Sequence, residues 1–89
     1  LCSILPTRSC TNRNADLRNE LVVDINRELR ETAAEKGAIY VDYHSHMTDA
    51  DGRTLRRELA DDGLHPNLAG YNIMADVLRR TLKDHQVEI

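Results

Sequence analysis

Asp62 and His65 stand three residues apart in the stretch DGLHPNLAGY, residues 62–71, and are the pair whose types and spacing most directly permit catalysis. A histidine accepts and returns protons near neutral pH, so it can activate a hydroxyl that is otherwise a poor nucleophile. A carboxylate on its other ring nitrogen fixes the tautomer and stabilises the imidazolium as it forms. Across a turn, a spacing of three lets Asp62 fold back on the His65 ring, with Gly63 easing the backbone. Asp61, at a spacing of four, is the rival acid. Spacing alone leaves a plainer reading open, in which Asp62 is a turn residue and His65 merely flanks a helix. Asn67 reads as the N-cap of that helix, its side chain bonding the exposed amides of the first turn. Pro66 reads as stiffening the loop.

Two further groupings suggest metal chemistry. His44 and His46, in the stretch HSH, would point the same way at strand spacing and could begin a zinc or nickel site, with Asp42 or Asp49 as a third ligand. No Cys or His at typical spacing completes it, and the ordinary reading is two polar histidines where a strand runs out into a loop. In MTDADGRTLRRE, Asp49, Asp51, Gly52 and Glu58 match the third, fifth, sixth and twelfth positions of a calcium loop. Met47 occupies the first position, where an oxygen ligand is required, so a glycine-containing turn is expected instead.

The elements that must hold these residues follow from hydrophobic spacing. LCSILPT, residues 1–7, is a short β-type run ended by Pro6, which lacks a backbone donor. The polar stretch RSCTNRNAD suits turns and caps. Leu17, Leu21, Val22, Ile25, Leu29 and Ala33 then recur at helical spacing, and Lys36 with Gly37 reads as a helix stop, predicting a helix from about Asn14 to Lys36. AIYVDY, residues 38–43, has strand length and strand composition. Strand, helix and strand in that order predict a βαβ unit with parallel strands and a right-handed crossover. TDADGR is a turn, TLRRELA a possible short helix, and DDGLHP a loop. The last helix starts at Pro66 or Asn67, with Leu68, Tyr71, Met74, Ala75, Leu78 and Leu82 as its buried stripe. The charges of RELRETAAEK, including the Arg27–Glu31 and Glu28–Thr32 spacings, form a solvated helix face.

Composition bounds the function. Eighty-nine residues allow one small domain, and 40% hydrophobic with 30% charged residues suits a soluble globular chain. Phe and Trp are absent and Tyr occurs three times, so the core is aliphatic. The formal charge of −3 comes with interspersed signs, and neither a basic stripe nor a stacking platform points to nucleic acid. No run approaches a membrane span. LCSILP shows no leader and reads as the middle of a protein. Cys2 and Cys10 make no disulfide framework, and both are expected as free thiols, with Cys2 buried in a strand; the alternative is a Cys2–Cys10 bridge, whose geometry spacing alone does not establish. Two parallel strands cannot cover both faces of a sheet, so the chain looks like half of an α/β domain.

The order of elements and the final block resemble the C-terminal half of the SGNH hydrolases, also called the GDSL lipases, esterases and acetylhydrolases. SILPT is similar to the strand and turn opening that half, LVVDINRELRETAAEKGAIYVD to its helix–strand unit, MTDADGR to its following turn, and DGLHPNLAGYNIMADVLRRTL to its final block. The resemblance implies an α/β fold, a three-layer flavodoxin-like architecture of which residues 1–89 hold a β-α-β-short α-α portion. It implies hydrolysis of an acyl or acetyl ester of a small molecule, carbohydrate or lipid, with His65 as the catalytic base and Asp62 as its orienting acid. It implies no cofactor and no metal. No Gly-Asp-Ser sequence occurs, nor do the oxyanion-hole glycine and Gly-x-Asn-Asp asparagine of the family. Ser3, Ser9 and Ser45 lack the nucleophile's context, so the chain alone is expected to be inactive. The competing expectation is a non-catalytic module that self-associates through an exposed sheet edge.

Overall fold

In a computed structural model of the chain, residues 1–8 and 15–87 are described. Three α-helices occur in them: α1 (Ala15–Lys36), α2 (His44–Met47) and α3 (Leu68–Asp84), with a single 3₁₀ turn at Arg57–Leu59 before α3. Helix α1 ends at Lys36, followed by Gly37, as the cation and glycine predict. The expected start at Asn14 lies outside the described residues, as do Ser9 and Cys10.

The predicted β-α-β arrangement is not what the backbone forms. Among the described residues there is no strand and no sheet; the segments 1–7 and 38–43 meet at one isolated parallel bridge between Cys2 and Val41. Ser3 N donates to Val41 O at 2.9 Å, Val41 N to Leu1 O at 2.8 Å and the Leu1 amino group to Ile39 O at 2.9 Å, and among the described residues the pairing goes no further. Side chains intercept the backbone groups that would extend it. Asn26 Oδ1 accepts from Ile4 N at 2.7 Å, while its Nδ2 donates to Ile4 O at 3.0 Å. His44 N, in turn, donates to Ser3 Oγ at 3.0 Å. Each backbone group satisfied by a side chain is lost to a ladder. The three-layer sheet architecture and the exposed sheet edge fall with the strands. Cys2 is likewise exposed rather than buried in a strand.

Polar anchoring explains why α1 lies as it does. It buries Val22 and Ala33, as its apolar pattern predicts, but also Asn19 and Asn26, while Leu17, Leu21 and Ile25 of the same stripe stay exposed. Asn19 brackets Thr7: its Oδ1 accepts from Thr7 N and Oγ1, each at 3.0 Å, and its Nδ2 donates to Thr7 O at 2.8 Å. Truncating Asn19 to alanine strands a buried amide, which costs about 1–3 kcal/mol. The Asn19→Ala chain is therefore expected to melt roughly 5–15 °C lower, whereas Leu17→Ala leaves the midpoint nearly unchanged. Paired thermal melts check this ordering, which inverts the one hydrophobicity alone would give.

The core gathers under α3. Val41, Tyr43, Met47, Leu55, Leu59, Ala60 and Val77 form one buried cluster, with Leu5, Ile73 and Met74 packed against it. The buried face of α3 carries Gly70 and Val77, rotated by about one residue from the predicted stripe. Leu68 and Tyr71 are 76% and 56% exposed, and Leu78 is also on the surface. TDADGR forms the predicted turn, closed by Gly52 N to Asp49 O at 2.9 Å and an antiparallel bridge between Thr48 and Leu55. No described helix is long and apolar enough to cross a membrane.

Candidate functional site

The loop between the 3₁₀ turn and α3 brings Asp62 and His65 together. One carboxylate oxygen of Asp62 accepts from the amides of Leu64 at 2.8 Å and His65 at 2.7 Å. The other lies 2.6 Å from His65 Nδ1. Locally this is an Asx-type turn, in which a short carboxylate side chain replaces backbone partners. Gly63 sits at the bend with φ +77°, a left-handed conformation that suits glycine.

The charge state follows from the same contacts. The His65 ring and then the His65 and Leu64 amides hold the Asp62 carboxyl well below the usual carboxylate range. An ionised carboxylate only accepts, so His65 Nδ1 carries the shared proton, and in the neutral ring Nε2 then presents a lone pair. That is the tautomer a general base needs. The side chains are 77% and 55% exposed, so the pair is held by its hydrogen bonds rather than by packing.

Asp61 faces elsewhere, accepting from Asn67 Nδ2 at 3.1 Å. Asn67 is the N-cap of α3, as expected: its Oδ1 accepts from Gly70 N at 3.0 Å. It also ties the helix start backward, donating from Nδ2 to Glu58 O at 3.0 Å and from its backbone amide to Leu59 O at 2.8 Å. On the other side, Arg8 N donates to Gly63 O at 2.7 Å. That contact spans 55 positions of sequence, and no local pattern announces it.

Both serines among the described residues are occupied. Ser3 Oγ accepts from His44 N, and Ser45 Oγ donates to the Asp42 carboxylate. The two histidines of HSH do not share a direction, because His44–Met47 is a helical turn, where residues two apart point to different sides. His44 is buried, which pushes its pKa down, and its Nε2 has no partner among the described residues. His46 is exposed, with Nδ1 2.9 Å from Asp42 O. No group of three or more metal-ligating side chains comes together among the described residues. The carboxylates of the calcium-like stretch are committed otherwise: Asp49 to Arg8, Asp51 to Arg53 and Thr54, and Glu58 to Arg56. Met47 is fully buried. A cleft of about 230 Å³ opens between α1 and the segment around Tyr40, Asp42 and His44, and neither Asp62 nor His65 lines it.

Comparison with known proteins follows the same stretch. Residues 1–73 match the model of the GDSL-like Lipase/Acylhydrolase family, a span that includes Asp62 and His65. No curated protein matches the chain. Among solved structures, a Bacteroides fragilis protein described as an acylhydrolase superposes with a TM-score of 0.81 at 23% identity. A GDSL-like lipase from Bacteroides thetaiotaomicron gives 0.80 at 22%, and a Streptococcus pneumonia protein described as a platelet activating factor gives 0.70 at 29%. Each superposition covers 96% of this chain but only 41%, 42% and 39% of the respective neighbour. The chain thus spans about two fifths of the length of these structures.

Proposed function

The chain belongs to the GDSL-like lipase/acylhydrolase family, and from that premise we propose that it supplies the acid–base pair of a serine ester hydrolase. His65 takes the proton from a serine hydroxyl through Nε2 as that oxygen attacks the ester carbonyl. The alcohol leaves with the same proton, and His65 then activates water to hydrolyse the acyl-enzyme. Asp62 keeps the ring in the competent tautomer and stabilises the imidazolium. The single observation carrying this reading is the 2.6 Å contact between His65 Nδ1 and an Asp62 oxygen whose partner oxygen is pinned by two amides.

The nucleophile is a serine outside these 89 residues. Two observations support that part: Ser3 and Ser45 are bonded away from His65, and the chain matches only two fifths of its structural neighbours. The exposed Leu17, Leu21 and Ile25, which share one stripe of α1, are where further chain of one hydrolase domain would pack.

A fluorophosphonate probe, which labels activated serines, tests the proposal. The 89-residue chain takes no label, while the protein carrying the Gly-Asp-Ser segment is labelled at that serine. Label on Ser3, Ser9 or Ser45 would overturn the assignment.

A further inference from the structure

We propose that Arg8 is a positioning residue for the Asp62–His65 pair, tethering the catalytic loop to the turn around Asp49 and Leu55. The inference rests on the acid–base reading of that pair and adds a residue to it.

The need for a tether comes from exposure. Both catalytic side chains stand largely in solvent, and the bonds between Asp62 and Leu64 or His65 hold the loop only to itself. Among the described residues, one hydrogen bond joins residues 62–65 to a distant part of the chain: Arg8 N to Gly63 O. The geometry there is close, since a Cβ on Gly63 would lie 1.4 Å from the Arg8 carbonyl oxygen. The position of the Arg8 backbone therefore sets the position of the loop.

Arg8 is itself fixed by its side chain. Nε donates to Leu55 O at 2.8 Å, and the guanidinium pairs with the Asp49 carboxylate. Next to it, Thr7 O accepts from Leu55 N at 3.2 Å, and Asn19 brackets Thr7 from α1. A guanidinium suits this place because its planar fork reaches a carbonyl and a carboxylate at once, which an ammonium does not do in one fixed geometry. The linkage runs from the Asp49–Leu55 turn through Arg8 to Gly63, and so to the turn that holds the His65 ring.

The test measures the Asp62 carboxyl titration by ¹³C NMR, together with ester turnover, in the intact hydrolase. Arg8→Ala is expected to raise the Asp62 midpoint by about one pH unit, because a loosened turn loses amide bonds to the ionised form. It is expected to lower kcat about tenfold, with KM within twofold, as small misplacement of a reacting group does. Asp49→Ala, which removes the anchor but leaves Arg8 in place, shifts both readouts in the same direction. The double variant adds little to the larger single effect, as expected for residues acting as one unit. A lowered melting temperature with Asp62 titration and kcat unchanged in both single variants would overturn the proposal, leaving Arg8 a stability contact only. The catalytic reading fails separately: if His65→Ala retains full turnover, the acid–base assignment is wrong whatever Arg8 does to the Asp62 titration.

Discussion

Replacing His65 by alanine lowers kcat/KM for a simple acetyl or butyryl ester by about four orders of magnitude in the protein that carries the nucleophilic serine. The expected loss is this large because a serine without its base keeps only the catalysis that binding and an oxyanion hole supply. Asp61 is engaged by Asn67 and His44 is buried, so neither is a ready substitute. The melting temperature should change little, since the His65 side chain is 77% exposed and contributes no packing. Asp62→Asn is a sharper variant. Its remaining oxygen can still accept from the Leu64 and His65 amides, so the turn survives. An amide NH₂ beside Nδ1 instead favours the tautomer with the proton on Nε2, which cannot act as base. A loss of roughly 10²–10⁴-fold in kcat follows from the wrong tautomer. Kinetics of both variants beside their thermal melts separate chemistry from folding. Full activity in either one would sink the acid–base reading.

The same pair fixes the sign of the pH dependence. Asp62 is held below the usual carboxylate range, so its contribution to stability is complete above that range and is lost only as pH falls through its lowered value. Through neutral and mildly acidic pH it stays ionised and continues to orient His65. Protonation of Asp62 therefore contributes no limb to kcat/KM in that range. Asp62→Asn should lower the plateau without creating a new limb at higher pH, and a pH–rate profile checks this.

How much of this was legible in the sequence depends on how far apart the partners lie. Asp62 meets His65, and Asn67 caps Gly70, each across three residues, so spacing and turn chemistry were enough to make both contacts legible. The helix stop at Lys36 and Gly37 and the turn at Asp49–Gly52 are equally local. The strands were not legible because their fate was decided at a distance. Residues 1–7 and 38–43 have strand composition, yet Asn19 and Asn26, 12 and 22 positions from their partners, satisfy Thr7 and Ile4. Composition records a residue's liking for extended backbone, not which side chain reaches its amide first. The helix faces failed for a related reason. Periodicity finds the leucines of α1 and α3 correctly, but which side is buried depends on what packs there, and Leu17, Leu21, Leu68 and Tyr71 stay more than half exposed.

Gly63→Ala should be among the most damaging single-methyl changes in the chain, and a control at Gly52 shows why. Both glycines have left-handed backbones, φ +77° and +71°. Placing alanine in that region costs about 1–2 kcal/mol at either site. Around Gly52 nothing lies within 4 Å of the added Cβ, so the conformational cost is the whole effect. At Gly63 the Cβ would coincide with the Arg8 carbonyl oxygen, 1.4 Å away, and backbone cannot yield as a flexible side chain can. The loop must separate from Arg8, losing the 2.7 Å bond from Arg8 N to Gly63 O, a further loss of about 1 kcal/mol or more. Gly63→Ala is thus expected to lower the melting temperature roughly 10–20 °C, against roughly 5–10 °C for Gly52→Ala. Activity should divide the two more clearly. Below its melting temperature Gly52→Ala keeps its turnover, because the open space around the added Cβ leaves Asp49 and Leu55 in place to hold Arg8. Gly63→Ala loses on the order of 10²-fold in kcat even while folded, since a displacement near 1 Å is enough to spoil a reacting geometry. Equal melting shifts and equal turnover in the two variants would show that the Arg8–Gly63 approach does not constrain the loop.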